Sequence, residues 1–144
     1  MIRDATAADV PALAQLLTQL GYPVQAGEIG GRLARVQSTA RVVVAVGGAG
    51  VPDGLIVTHV VNALEQPLPM CLIVALVVRE AERGRGVGGE LLAEAERWAA
   101  EHGCGRVIVG TASHREGAKR FYRARGYEET GVRFAKLLPS STPR

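Results

Sequence analysis

Apolar residues recur along this chain with two periods, and the switches between them lay out an α/β order. Residues 1–5 predict a short first strand. Val10, Leu13, Leu16, Leu17 and Leu20 then fall at helical spacing, introduced by Thr6-x-x-Asp9 and closed by Gly21. Ile29, Leu33 and Val36 predict a second short helix. Residues 41–46 are rich in β-branched side chains and predict a strand, 47–54 is dense turn chemistry, and 55–61 returns as the antiparallel partner. After a loop at 62–69 with two prolines, residues 71–78 form a continuous apolar run, the pattern of a strand covered on both faces.

The helix that follows is the clearest in the chain. Leu91, Leu92, Ala95, Trp98, Ala99 and His102 share one face, Glu90, Glu94, Arg97 and Glu101 the other, and Gly103 is placed to stop it. Residues 106–110 predict another strand. Ser113-x-x-Glu116 is a capping box and opens a last helix through Ala118, Phe121 and Tyr122, which Gly126 ends. Residues 132–138 predict a final strand or hairpin, and 139–144 a disordered polar tail. The order is β-α-α-β-β-β-α-β-α-β. The strand at 71–78, its helix and the strand at 106–110 make one βαβ crossover, which requires parallel strands within an otherwise antiparallel sheet. A chain of 144 residues fits a single domain, here residues 1–138.

Composition narrows the classes of function. Cys71 and Cys104 lie far apart with no CxxC and no histidine at ligand spacing, so neither a disulfide framework nor a metal site is expected. Met1-Ile2-Arg3-Asp4 leads straight into structured pattern, and the run at 71–78 is too short to span a bilayer. A cytoplasmic protein without membrane partners is the expectation. Net charge is only +3, but residues 113–125 carry Arg115, Lys119, Arg120, Arg123 and Arg125 against the single acid Glu116. Nucleic acid is one partner for such a rim. With only Phe121 and Tyr122 as aromatics there and no reader motif, a compact polyphosphate fits better, and no nucleic-acid partner is expected.

Candidate chemistry concentrates in Arg83-Gly84-Arg85-Gly86-Val87-Gly88-Gly89, between the strand ending Leu76-Val77-Val78 and the helix at Glu90. Glycines keep Cβ atoms off the backbone, and its N–H groups at a helix N-terminus favour an anion. Gly84-x-Gly86-x-x-Gly89 formally matches a dinucleotide loop. However, five residues (79–83) separate it from the strand, and the strand at 106–110 ends in Gly110-Thr111 with no ribose-binding carboxylate. A Walker loop lacks its Lys-Ser or Lys-Thr. A bare strand-to-helix turn remains compatible with the glycines alone.

Arg83-x-x-Gly86-x-Gly88 resembles the pyrophosphate loop of the GNAT superfamily of N-acetyltransferases, Arg/Gln-x-x-Gly-x-Gly/Ala. Arg115-x-x-Ala118-x-x-Phe121-Tyr122-x-x-x-Gly126-Tyr127 resembles the family's Ala-x-x-Phe-Tyr-x-x-x-Gly-Phe/Tyr helix, about 30 residues downstream as in the family. The start Ile-Arg-x-Ala-Thr-x-x-Asp is also similar. The resemblance implies a GNAT-like mixed sheet whose central parallel strands splay apart, acetyl-CoA as donor and an amine as acceptor. It implies that Gly84, Arg85, Gly86, Val87, Gly88 and Gly89, with Arg83, hold the pyrophosphate, while main-chain groups of Leu76, Val77 and Val78 meet the pantetheine. The Val78 amide takes an oxyanion role, Tyr122 protonates the leaving thiolate, Phe121 packs in the core, and His114 or Ser113 stands where relatives often have a cofactor-binding Asn.

One departure bears on mechanism. Relatives often carry a basic carboxylate just before Leu76, where this chain has Val74 and Ala75. Glu65, Glu80 and His59 are the substitutes, or a water relay serves. The acceptor remains open, to be shaped by residues 21–36 and 62–69, and so does a homodimer, common among relatives. A non-catalytic acyl-CoA-binding or sensing module is the alternative from another class.

Overall fold

The β-branched run after residue 40 and the apolar run after residue 69 both pair with a strand between them, and this pairing organises everything else. In a computed structural model, which describes residues 1–110, 116–131 and 134–139, the chain divides into two compact units, Met1–Gly110 and Thr111–Arg144. The first holds a five-stranded sheet in the order β1-β2-β3-β4-β5. Its strands are β1 (Ile2–Asp4), β2 (Arg41–Val46), β3 (Pro52–Val61), β4 (Met70–Val78) and β5 (Arg106–Val109). Helices α1 (Val10–Leu20) and α2 (Ala26–Gln37) connect β1 to β2, and α3 (Val87–Glu101) connects β4 to β5. Neighbours are antiparallel through β4, and β4 pairs β5 in parallel, as that crossover demands. The mixed α/β sheet expected from the pattern is present.

Alternation along the strands gives each face its own cover. Leu55 and Val77 are Cα partners, and both pack with Val42, Val44, Leu13, Leu16, Ile29 and Leu33 under α1 and α2. Gly54 and Ile56 turn the opposite way, toward α3, whose Leu91, Leu92, Ala95 and Ala99 are buried. At Gly54 a Cβ would lie 2.9 Å from Leu91 Cδ1 and 3.0 Å from Val87 Cγ1. The missing side chain therefore seats the first turns of α3 directly on β3.

Two boundaries shift by three residues from the sequence reading, and the other boundaries of the sheet strands by at most one. β3 begins at Pro52 because the turn closes within residues 47–51: the Gly47 N–H donates to Val51 O and the Gly50 N–H to Gly47 O. Proline is tolerated at the first position of a strand, and Asp53 already joins the ladder by accepting the Arg79 N–H at 2.6 Å. α3 begins at Val87 because Gly86, with φ +84°, takes the N-cap position, so Gly88 and Gly89 enter its first turn. At the entry to α1, the nearly buried Asp9 takes two Arg3 nitrogens at 2.7 and 2.9 Å and the Thr6 N–H at 2.8 Å.

The second unit contains α4 (Glu116–Ala124), followed by Gly126 at φ +87°. Thr111, Ala112, Ser113, His114 and Arg115 lie outside the described residues, as do Val132, Arg133 and residues 140–144 of the expected tail. Of the final strand expected at 132–138, the described residues 134–138 form none. Phe134, Leu137 and Leu138 are exposed, and no ladder partner is recorded for them among the described residues.

Candidate active site

The end of β4 is built from a register change. Val57 opposes Ala75 and Thr58 opposes Ile73, so Val74 is the extra residue of a bulge, and its side chain is exposed. On the other side the β5 ladder reaches only Met70 to Ile73, and the Gly110 N–H donates to Ile73 O at 3.0 Å. Residues 74–78 therefore run on with no strand partner on that side among the described residues. The Arg79 N–H bond to Asp53 O fixes which groups face the gap. In an antiparallel ladder hydrogen-bonded and non-bonded pairs alternate, so Val77 bonds across to Leu55 while Leu76 and Val78 turn their main-chain groups to the open side.

Two side chains of α1 close part of that edge. Gln19 Nε2 donates to Val78 O at 2.7 Å, and Gln19 Oε1 accepts the Glu80 N–H at 2.9 Å. One turn earlier, Gln15 Oε1 accepts from the Arg79 guanidinium at 3.2 Å. Arg79 also donates to Pro52 O at 2.9 Å and lies 3.4 Å from Asp53 Oδ1, tying the exit of β4 to the start of β3.

The chain then turns through a short 3-10 segment, Glu80–Glu82, into the glycine-arginine loop. Gly84 and Gly86 have φ of +83° and +84°, and a Cβ at either would meet open space. Here glycine answers to backbone conformation. The Glu90 N–H makes the first bond of α3, to Gly86 O at 3.0 Å. The amides of Val87, Gly88 and Gly89 consequently lack intrahelical acceptors and sit at the positive end of the helix dipole. Arg85 lies 3.3 Å from Glu82, an exposed pair too weak to lock it. Arg83 is exposed, with no side-chain partner recorded among the described residues. Amides and a guanidinium without partners among the described residues, with open space at two glycines, fit a phosphate group, and the main-chain edge leading to them fits an amide-bearing chain.

In the second unit, Tyr122 is half-buried, with Phe121 and Tyr127 edge-on at ring separations of 5.2 and 5.8 Å. Burial raises its phenol above the ordinary tyrosine value, which keeps it protonated across the neutral range. Phe121 is also half-buried, and the Arg125 guanidinium stacks 4.0 Å from its ring centre. Lys119 and Arg123 both pair with Glu129, an acid just beyond the window in which the basic residues were counted. Among the described residues no cluster of His, Cys, Asp or Glu is placed to hold a metal, and no helix is long and apolar enough to cross a membrane.

Residues 29–127 match the Acetyltransferase (GNAT) family. The chain belongs to the GNAT acetyltransferase family. Over 63 residues it is 40% identical to the aminoalkylphosphonate N-acetyltransferase of Salmonella typhimurium, a stretch that is 44% of this chain and 41% of that protein. The chain thus matches about two fifths of this curated relative's length. A solved structure from Agrobacterium tumefaciens str. C58, assigned to the acetyltransferases, has a TM-score of 0.83 at 25% identity over 96% of this chain and 99% of that one. Glucosamine-6-phosphate N-acetyltransferase from Arabidopsis thaliana has a TM-score of 0.79 at 20% identity over 96% and 98%, a likeness of fold.

Within this GNAT chain the residues named from sequence are distributed unevenly. Leu76, Val78, Arg83, Gly84, Arg85, Gly86, Val87, Gly88 and Gly89 lie along one continuous path from the open edge of β4 into α3. Val77 is next to that path, but its main chain faces β3 and its side chain is buried. The base candidates are not brought together. Glu80 is exposed in the 3-10 turn, Glu65 is exposed in the β3–β4 loop, and His59 opposes Leu72, about 10 Å along the strand from the level of Leu76. His114 lies outside the described residues. Sequence reasoning missed Gln15, Gln19 and Arg79. The signal for the glutamines was available: they stand four residues apart on a helix whose one other polar side chain is Thr18, hence on one face.

Proposed function

We propose that this chain is an N-acetyltransferase that takes the acetyl group of acetyl-CoA and passes it to a primary amine of a small molecule, peptide or protein. The observation that carries this reading is the unpaired edge of β4 running into unpaired amides at the start of α3. The Val87, Gly88 and Gly89 amides, with Arg83 and Arg85, hold the pyrophosphate, and Gly84 and Gly86 allow its close approach. Main-chain groups of Leu76 hold the pantetheine arm, and of Val78 only the N–H is open to the donor, since Val78 O is taken by Gln19. Acetyl-CoA, when bound, supplies an activated thioester carbonyl.

The remaining chemistry belongs to the protein. The Val78 N–H stabilises negative charge developing on the carbonyl oxygen. Tyr122, kept protonated by its surroundings, donates a proton to the departing thiolate. His114 contacts the cofactor, as its place in the motif implies. The amine loses its proton to water or to one of Glu65, Glu80 and His59. Residues 1–138 act as one catalytic domain, in the cytoplasm, without metal.

Val74 and Ala75, in place of a carboxylate, favour a second reading as a non-catalytic acyl-CoA-binding module. Free-thiol release from acetyl-CoA, followed across a panel of amines that includes aminoalkylphosphonates and amino-sugar phosphates, separates the two. Turnover that falls with Tyr122→Phe supports the enzyme. Tight CoA binding with no turnover on any amine, and no effect of that substitution, selects the module.

A further inference from the structure

We propose that Gln19 is a positioning residue for the donor thioester, acting through the end of β4; this rests on the acetyltransferase reading above. Val78 lies opposite Gly54 at a non-bonded position of the β3–β4 ladder, so both of its main-chain groups face the open side. An unpaired carbonyl beside an unpaired amide presents opposite partial charges to whatever lies there. Gln19 removes one of them. Its Nε2 donates to Val78 O at 2.7 Å, leaving the Val78 N–H as the group available to a carbonyl oxygen.

The same carboxamide accepts the Glu80 N–H at 2.9 Å. A single side chain therefore spans Val78 to Glu80 and holds the 78–79 and 79–80 peptides, as a neighbouring strand would. Arg79, between them, is held by Gln15 from the preceding turn of α1, by Pro52 O and by Asp53. The Val78 N–H lies in the preceding peptide, set by the β3–β4 ladder, and α1 fixes the Val78 carbonyl beside it; the far end of α1 runs through Gly21 into the loop before α2. Residues 21–36 are the segment expected to shape the acceptor pocket. Gln19 links the carbonyl beside the oxyanion donor to the helix that carries that segment.

Two variants of equal length separate the arms of the contact. Gln19→Met has neither polar atom; Gln19→Glu keeps an acceptor for the Glu80 N–H and loses the donor to Val78 O. The probe is acetyl-CoA carrying carbon-13 at its carbonyl, with unlabelled CoA as the control ligand. In the wild type the bound carbonyl resonance moves downfield as the Val78 N–H polarises it. In both variants it returns toward the free value, and acetyl-CoA weakens roughly tenfold, the scale of one hydrogen bond, while CoA weakens less. Thermal unfolding reports whether each variant is folded, and Gln15→Leu, which frees only a bond to the Arg79 side chain, retains the wild-type resonance.

Folded variants with the wild-type carbonyl resonance and unchanged affinities overturn the positioning role. Equal weakening of CoA and acetyl-CoA overturns it also, since that is the mark of a merely structural loop contact. A wild type that binds neither ligand overturns the acetyltransferase reading itself, a result distinct from either. Where Gln19→Met does not fold, Gln19→Glu decides, because it preserves shape and one bond.

Discussion

Replacing Gly54 with alanine tests whether the seating of α3 on the sheet sets the geometry of the glycine-arginine loop. The new Cβ would stand 2.9 Å from Leu91 Cδ1, 3.0 Å from Val87 Cγ1 and 3.4 Å from Val77 O. Ordinary carbon contacts are about 3.5–4.0 Å, so the neighbours must give by roughly 0.5–1 Å. Leu91 is fully buried and has nowhere to turn, and Val87 is the first residue of α3. The helix start itself must lift away from β3. Overpacking of this kind costs about 1–3 kcal/mol, or roughly 2–12 °C in the unfolding midpoint of a chain this size. Because the displaced turn carries the Val87, Gly88 and Gly89 amides, CoA affinity falls as well. Gly86→Ala is the contrast: no atom lies within 4 Å of its Cβ, and the cost is the left-handed backbone alone, about 1–2 kcal/mol. Differential scanning calorimetry and titration calorimetry with CoA read both quantities. A Gly54→Ala protein that melts and binds CoA like the wild type refutes the close seating of α3.

The other predictions rest on charge and burial. Arg83→Gln weakens CoA more than Arg85→Gln, because Arg85 shares its charge with Glu82 whereas Arg83 does not; titration in low and high salt checks the order, and the gap narrows as salt rises. Burial pushes the Cys71 thiol up to about 11, so the native protein at pH 8 yields at most the Cys104 thiol to Ellman's reagent, and both only in denaturant. Equal, rapid titration of two thiols in the native state would contradict this. The Arg3 hydrogen bonds hold the Asp9 carboxyl below the usual carboxylate range. Its stabilisation is therefore present above the unfolded value near 3.9 and is lost as pH falls through the lower folded value. Asp9→Asn lowers the unfolding midpoint at pH 7, and its gap from the wild type narrows toward pH 2, a trend that melting curves across this range follow.

The sheet was legible because two of its strands, β2 and β4, are nearly continuous apolar runs. Residues 41–46 and 70–78 have few alternatives to burial, and parallel pairing followed once a helix separated two of them. Boundaries were less legible where glycine decides them. Gly86 starts α3 earlier than the apolar period does, since Gly88 and Gly89 contribute nothing to that period. Pro52 and Asp53 read as turn, yet a hydrogen bond from the distant Arg79 draws them into β3. The bulge at Val74 leaves no mark in the sequence. It arises from a register that β3 and β4 settle between them. Gln19 was hidden for another reason: a polar residue on a helix reads as solvated until the strand end beside it is known to lack a partner.

Main-chain donors explain why the donor side of this site is readable and the missing carboxylate does not disturb it. The groups assigned to CoA are largely N–H and C=O groups of Leu76, Val78, Val87, Gly88 and Gly89, and their directions depend on register, on φ at Gly84 and Gly86, and on the seating of α3 at Gly54. Sequence marks such a site through glycines and spacing, the only features the backbone requires. Side chains at 74 and 75 carry none of it, and the exposed Val74 bulge leaves the ladder intact on both sides. On the proposed function, losing a carboxylate there alters how an amine sheds its proton without touching how a thioester is held. The proposed function therefore expects donor binding and acceptor activation to be separable, and Val74→Glu is the substitution that tests it. If a base is what the chain lacks, the variant raises turnover and shifts the pH dependence of kcat/KM toward lower pH while CoA affinity stays unchanged; a change in CoA affinity without one in the pH profile would show that the two sides are not separable.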